Sequence, residues 1–299
     1  MSDSAQPASP TVPLATDGTA SWVAEVTGVA VARSTPLIGG MSSDVVRHEL
    51  ADGRIVVSRH ITNTEWLGRE PHLIEIEAAA LRLLVDSTVQ APELIATGPG
   101  RLLMSFTPGE MVVASSALVD RAPRLAAAAR EVHRVELPGG HGLPPWRSWA
   151  SPQLVRPDWG DHGLWSEAIE MFRSSQMPTT EQPVLLHRDL HPLNILWEGN
   201  NATIVDWVNA CVGHPHAELG HCRWNLSVLA GSSCAEAFLS AYLDGTDHGE
   251  YDRYWDLAPA MSFLPGPLGG DGWRAVGRND LTPSIVIERT EAFVRQTLR

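Results

Sequence analysis

The sequence predicts an α+β protein in two parts, a small antiparallel-sheet part followed by a larger, mainly helical one. Three observations lead there. The chain has 299 residues, beyond the size at which one hydrophobic core usually stops growing. Its β-branched runs and hairpin signals concentrate before residue 106. Its alanine-rich, three- and four-residue apolar periodicities dominate after that point.

The elements follow in order. Residues 1–20, "MSDSAQPASPTVPLATDG" and its continuation, are rich in Ser, Pro and Ala, and read as a disordered tail without the basic and apolar regions of a secretory signal. The first lobe is expected over residues 21–106. "GGMSSDVVRHEL" is a glycine turn leading into an extended segment, and "GRIVVSRHI" is a second β-branched run. Asp52-Gly53 between them is a hairpin turn signal, so the two strands should be antiparallel neighbours. Leu73 to Val85 carries apolar residues at helical spacing, with Pro71 near its start. "ELIATG" and "RLLMSF" are two short strands split by Gly98-Pro99-Gly100.

The second lobe is expected over residues 107–299. "ALVDRAPRLAAAAREVHRV" and "GLWSEAIEMFRSS" read as helices, with a Pro/Gly/Trp-rich loop between them. "PVLLHRDLHPLNILWEGNNATIVDWV" reads as strand, polar loop, strand, Asn-rich turn and strand. From Glu218 onward the pattern is mostly helical, broken by "LPGPLGGDGW".

Charge narrows the partners. There are 35 acidic against 22 basic side chains, a net charge of −13, which repels nucleic acid and anionic lipid and favours cationic partners. All the basic residues are arginine, so no mechanism that needs a lysine Schiff base is open to this chain. Three cysteines are too few for a disulfide framework and fit a reducing, cytoplasmic setting. No segment has the ~20 apolar residues of a membrane span.

The chemistry concentrates in "LLHRDLHPLNILW" and "TIVDWV". The "EGNN" turn folds one strand back on the other, which sets the loop bearing Asp189 and Asn194 beside Asp206. An amide and a carboxylate with open positions suit Mg²⁺. The remaining carboxylate, Asp189, is then free to accept a hydroxyl proton, and the set describes phosphoryl transfer.

"HRDLHPLN", followed twelve residues after its asparagine by "DW", resembles the catalytic loop and metal motif of kinase-like small-molecule phosphotransferases, specifically the aminoglycoside phosphotransferase family. "GHPHAELGHCRWNL" resembles that family's continuation. The resemblance implies a bilobal protein-kinase-like fold with a five-stranded first lobe and the nucleotide in the cleft. It implies that Asp189 takes or orients the substrate proton while Asn194 and Asp206 hold Mg²⁺. "GGMSSDVV" would lie over the phosphates, with Ser42 and Ser43 as donors. The strand "RIVVSRHI" would supply the cation for the phosphates. This chain has no lysine there, so Arg59 takes that place, with Ser58 the alternative register. Glu77 would pair with it, with Glu75 two residues away on another helical face. Ser105 and Phe106 would bond the adenine through their backbone, Met104 would sit behind it, and Leu196 and Val205 would floor the pocket. His187, Arg188 and His191 are left as scaffolding. The donor would be ATP or GTP. The acceptor would be a small cationic antibiotic, an aminoglycoside or a basic cyclic peptide, whose phosphorylation confers resistance. A metabolic kinase of a sugar, choline-like or amino-alcohol substrate, and a non-catalytic nucleotide-binding protein, are the alternatives.

Three other features compete for a role. Cys211, His214, His216, His221 and Cys222 could ligate zinc, although they lack paired Cys-x-x-Cys units. The run Tyr242 to Asp256 holds five carboxylates against one arginine and could receive a cationic acceptor, with Asp158 and Asp161 as further candidates. Trp146, Trp149, Trp159 and Trp165 are expected mostly in packing, some of them along an acceptor cleft.

Overall fold

The structure, a computed structural model, describes residues 18–37, 43–63, 65, 68, 70–246, 249–266 and 268–299. Its first part is a five-stranded antiparallel sheet, built of β1 (Val31–Pro36), β2 (Ser43–Leu50), β3 (Ile55–Ile61), β4 (Leu94–Gly98) and β5 (Arg101–Ser105), in the order β1-β2-β3-β5-β4. The β2–β3 hairpin turns at Asp52-Gly53 as expected, and Gly53 has φ 87°, a conformation that favours glycine. Of these five strands, the one that sequence reasoning did not locate is β1. Its residues, VARSTP, are mostly half-buried or exposed at the sheet edge, so they show no period-two pattern.

The two sheet faces are covered by different helices, and this sorts the side chains of β3. α1 (Thr19–Thr27) begins inside the stretch expected to be tail, and buries Val23 against Leu50, Val56 and Leu103. α2 (Leu73–Leu84) covers the other face with Leu73, Ala78 and Leu81, in one cluster with Val57, Ile61 and Leu102. Alternation along the strand therefore puts Val57, Arg59 and Ile61 toward α2, and Val56 and Ser58 toward α1.

The second part holds α3 (Ser115–His133), α4 (His162–Ser174), α5 (Pro215–Ala230), α6 (Ser232–Leu243), α7 (Tyr254–Met261), the short α8 (Asp271–Ala275) and α9 (Pro283–Thr297). α5 is buried along almost its whole length and packs against α3, α6, α7 and α9. The approach to α7 is close: a Cβ on Gly220 would lie 1.8 Å from the Trp255 carbonyl oxygen. Among the described residues no helix is long and apolar enough to cross a membrane.

Two small sheets hold the polar loop. β7 (Val184–Leu186) pairs with β10 (Cys211–Gly213), while β8 (Ile195–Glu198) pairs with β9 (Asn201–Ile204) and with β6 (Glu110–Met111). The segments flanking the loop thus belong to different sheets, so the loop is anchored independently at its two ends. The Glu198 and Asn201 pair closes a two-residue turn with Gly199 at φ 58°.

Two carboxylates of the acidic run have structural roles. Asp256 is buried, and receives Arg223 Nε at 2.8 Å and the Tyr251 hydroxyl at 2.6 Å. Asp252 accepts the Tyr254 N–H at the start of α7. Asp247 lies outside the described residues. Asp161 caps α4 by accepting the N–H groups of Gly163 and Leu164, and pairs with Arg295 at 3.1 Å. Trp165 is fully buried with Trp159 against it, which makes both packing residues.

Candidate active site

Arg59 is a buried cation held among oxygens. Its Nε lies 3.1 Å from Glu77 Oε2, and its Nη1 lies 3.0 Å from Asp206 Oδ1 and 3.2 Å from Ser43 Oγ. The first of these contacts is ionic, since neither Arg59 Nε nor Glu77 Oε2 forms an aligned hydrogen bond. Burial opposes the charge on Arg59, but Asp206 and Glu77 together offset it and raise its pKa. Burial lifts the Glu77 carboxyl to about 7, Asp206 pushes the same way, and Arg59 pulls against them. Glu75 is exposed. Ser58 faces away, with its Oγ 2.8 Å from His48 Nε2, whose Nδ1 meets Ser34 Oγ at 2.8 Å. Of the two registers open in the sequence, the structure joins the Arg59 one to Glu77. Ser42, the neighbour of Ser43, lies outside the described residues.

The loop from His187 to Asn194 is tied to the end of β9 by hydrogen bonds. Asn194 Nδ2 donates to the Asp189 carbonyl at 2.9 Å, the Val205 N–H donates to the Asn194 carbonyl at 2.9 Å, and His187 Nε2 donates to the Val205 carbonyl at 2.9 Å. Burial holds the His187 pKa below the ordinary imidazole value, against the pull of Glu218 and Asp189, so the ring is a neutral brace. Arg188 and Asp206 are the two non-glycine residues with positive φ among those described, at 72° and 69°. Both flank the site, where such backbone strain tends to collect. The Arg188 N–H is held by Glu218 Oε1 at 2.6 Å, and Glu218 Oε2 meets His133 Nε2 at 2.9 Å.

The Asp189 carboxylate has two histidine neighbours that sequence reasoning did not assign to it. His221 Nε2 lies 2.9 Å and His191 Nε2 3.4 Å from Oδ1. Burial would raise the Asp189 pKa, yet His191 and His221 outweigh it and hold the carboxyl well below its usual value. His221 reaches Asp189 from α5, 32 residues along the chain, whereas its sequence neighbours group it with cysteines. The only hint was its place in the continuation "HAELGHC".

The zinc grouping is not what the fold builds. Cys211 and Cys222 are buried, and burial pushes the Cys211 thiol up to about 12 and the Cys222 thiol well above its usual value, which disfavours thiolate ligands. Among the described residues the group of His, Cys, Asp or Glu side chains that does converge is Asp189, His191 and His221. His191 Nδ1 accepts the Leu193 N–H at 3.2 Å, so its proton sits on Nε2, facing the carboxylate as a donor rather than offering a lone pair to a metal.

On the nucleotide side, Met104 is buried on the α2 face of β5, and Phe106 is half-buried with Arg47 over its ring at 5.3 Å. The Ser105 N–H is already used by the Glu93 carbonyl at 2.8 Å, so a backbone donor to a base has to come from beyond this strand end. Leu196 and Val205 are half-buried on β8 and just after β9. Asp206, half-buried and ion-paired to Arg59 through Oδ1, and Asn194, whose amide nitrogen is turned to the Asp189 carbonyl, carry hard oxygens of the kind Mg²⁺ takes.

A two-lobed fold with a buried cation–carboxylate pair under the sheet and an Asp/Asn loop facing it defines a kinase-like phosphoryl-transfer protein. Residues 34–256 match the phosphotransferase enzyme family, and the chain belongs to it as a phosphotransferase with an alcohol group as acceptor. A comparison with curated proteins by sequence finds no match. Among solved structures it resembles the macrolide 2'-phosphotransferase MphH from Brachybacterium faecium, at 20% identity and TM-score 0.59 over 91% of this chain and 96% of that one. It also resembles the aminoglycoside phosphotransferase APH(4)-Ia, at 14% identity and TM-score 0.64 over 92% and 97%. A third is the spectinomycin phosphotransferase APH(9)-Ia, solved with ADP and spectinomycin, at 13% identity and TM-score 0.60 over 96% and 99%. The chain shares the fold of these phosphotransferases.

Proposed function

We propose that the protein transfers the γ-phosphoryl group of ATP or GTP to a hydroxyl of a small-molecule antibiotic, and so confers resistance to it. The observation that carries this reading is the Asp189 carboxylate, kept ionised by His191 and His221 on a loop laced to Asn194 and to the backbone before Asp206. Structural neighbours that act on aminoglycosides, macrolides and spectinomycin support the antibiotic class of acceptor.

The residues divide the work. Both histidines act on Asp189 Oδ1, so the acceptor hydroxyl is oriented by Oδ2, which takes the proton as the oxygen bonds to phosphorus. The bond from the γ-phosphorus to its bridging oxygen breaks, and that electron pair leaves with the nucleoside diphosphate. Arg59, steered by Glu77 and reached by Ser43, binds phosphate oxygens. Its planar fork replaces the single ammonium point charge of a lysine. Asn194 and Asp206 would hold Mg²⁺, which would neutralise phosphate charge when bound. Met104, Leu196 and Val205 pack the base, Phe106 offers it a backbone group, and Ser43 lies by the phosphates beside Arg59. The net charge of −13 draws cationic acceptors toward the protein at long range.

Purified protein with Mg²⁺ and ATP or GTP, assayed against aminoglycosides, macrolides, spectinomycin and basic cyclic peptides, should release nucleoside diphosphate and yield an acceptor heavier by one phosphoryl group. Absence of product from every class, with nucleotide still bound, would remove the antibiotic reading.

A further inference from the structure

A recess opens beside the Asp189 loop, and its lining differs in kind from what a polycationic acceptor needs. His221, whose Nε2 is bonded to Asp189 Oδ1, forms part of its wall, so a ligand seated there lies next to the proton acceptor. The remaining wall includes Trp146, Trp149, Ala217, Pro259 and Arg188. None of the described residues that line it is Asp or Glu.

We propose that this recess receives an uncharged, ring-bearing face of the acceptor, so that the preferred substrates are hydroxyl compounds with an apolar or planar ring and at most one amine. The proposal rests on the phosphotransferase reading of Asp189 and names the acceptor class for that same site.

Three observations carry it. Arg188 is fixed in the wall, with its guanidinium 4.0 Å above the Trp149 ring and 5.6 Å from that of Trp146, and its Nη2 donating to the Arg147 carbonyl. A ligand ammonium entering here meets a positive charge that cannot swing away. Trp149 remains 47% exposed, and its ring meets His221 edge-on at 5.8 Å, so aromatic surface that Arg188 does not cover stands open beside the histidine bonded to Asp189. Such a face recognises rings by stacking and apolar burial. Three of the carboxylates expected to collect ammonium groups are occupied elsewhere: Asp256 by Arg223 and Tyr251, Asp252 by the α7 terminus, and Asp161 by the α4 terminus and Arg295. The recess is small, about 30 Å³, so the acceptor lays one face against it while its bulk, with any single amine, stays outside.

The test compares two arms of acceptors with the intact protein, macrolides on one side and aminoglycosides with several amino groups on the other, in wild type, Trp149→Ala and Trp149→Phe. Expected is a kcat/KM for the ring-bearing arm at least about tenfold above the polyamine arm, as one lost aromatic contact changes affinity by that order. Trp149→Ala should raise the acceptor KM about tenfold while the nucleotide KM stays put, and Trp149→Phe should restore most of it. The proposal is overturned if a polyamine is the best acceptor, or if Trp149→Ala leaves every acceptor KM unchanged. If no compound in either arm receives phosphate, the antibiotic reading falls, and the recess is judged by binding. Quenching of tryptophan fluorescence by ring-bearing compounds that is lost in Trp149→Ala supports it, and no quenching overturns it.

Discussion

Arg59 sits 3.0 Å from the Asp206 carboxylate, and so joins strand β3 to the loop that follows β9. The same side chain meets Glu77 from the other direction, so one cation separates two carboxylates. Arg59→Lys keeps the charge but loses the fork, and nucleotide KM should rise several-fold in steady-state assays. Arg59→Met leaves the two carboxylates facing each other, and should lower stability to urea by about 3–5 kcal/mol.

The Glu77 carboxyl predicts how stability changes with pH. Its value is about 7 in the fold against an ordinary 4.5, so between those values the folded state binds a proton that the unfolded chain releases. Stability should therefore fall as pH rises from 4.5 to 7, and level off above. Glu77→Gln should flatten that slope in unfolding curves measured at pH 5, 6 and 8. An unchanged slope would refute the assignment.

Asp189→Asn should lower kcat by about 10²–10⁴-fold with little effect on nucleotide binding measured by calorimetry. His221→Ala should act more weakly, because Asp189 survives. Burial is then opposed by His191 alone, the carboxyl pKa rises, and activity on the acid side of the kcat profile should be lost at higher pH than in wild type. A profile that does not move would show His221 to be only structural.

Gly220→Ala should unfold the second lobe or cost several kcal/mol, since the added Cβ would lie 1.8 Å from the Trp255 carbonyl oxygen inside a packed helix pair. A soluble variant with wild-type melting temperature would mean that α5 and α7 can separate freely.

How much of this was legible in the sequence depended on distance along the chain. The β2–β3 hairpin, α2, and the β8–β9 hairpin announce themselves through Asp52-Gly53, apolar spacing and the "EGNN" turn, which are local signals. The choice between Arg59 and Ser58 was also open to reading, because Val57 and Ile61 share a parity with Arg59 and one face had to pack on α2. His221 was not readable, since its meeting with Asp189 requires α5 to run past the loop. Asp256 in the acidic run shows a related limit. A sequence displays the charge of Asp256 but not the buried Arg223 that neutralises it. Strands β1, β6 and β10 are short or edge-exposed, and carry too little pattern to be seen.

The guanidinium in the cleft has one more consequence. Many covalent probes of nucleotide sites work by acylating the free amine of a lysine close to the phosphates. This chain carries 22 arginines and no lysine, so none of its side chains gives such reagents a nucleophilic amine. An acyl-phosphate nucleotide probe would pass over this enzyme in a cell extract where its lysine-bearing counterparts are labelled. Covalent capture of the site would need dicarbonyl reagents, which react with guanidinium groups.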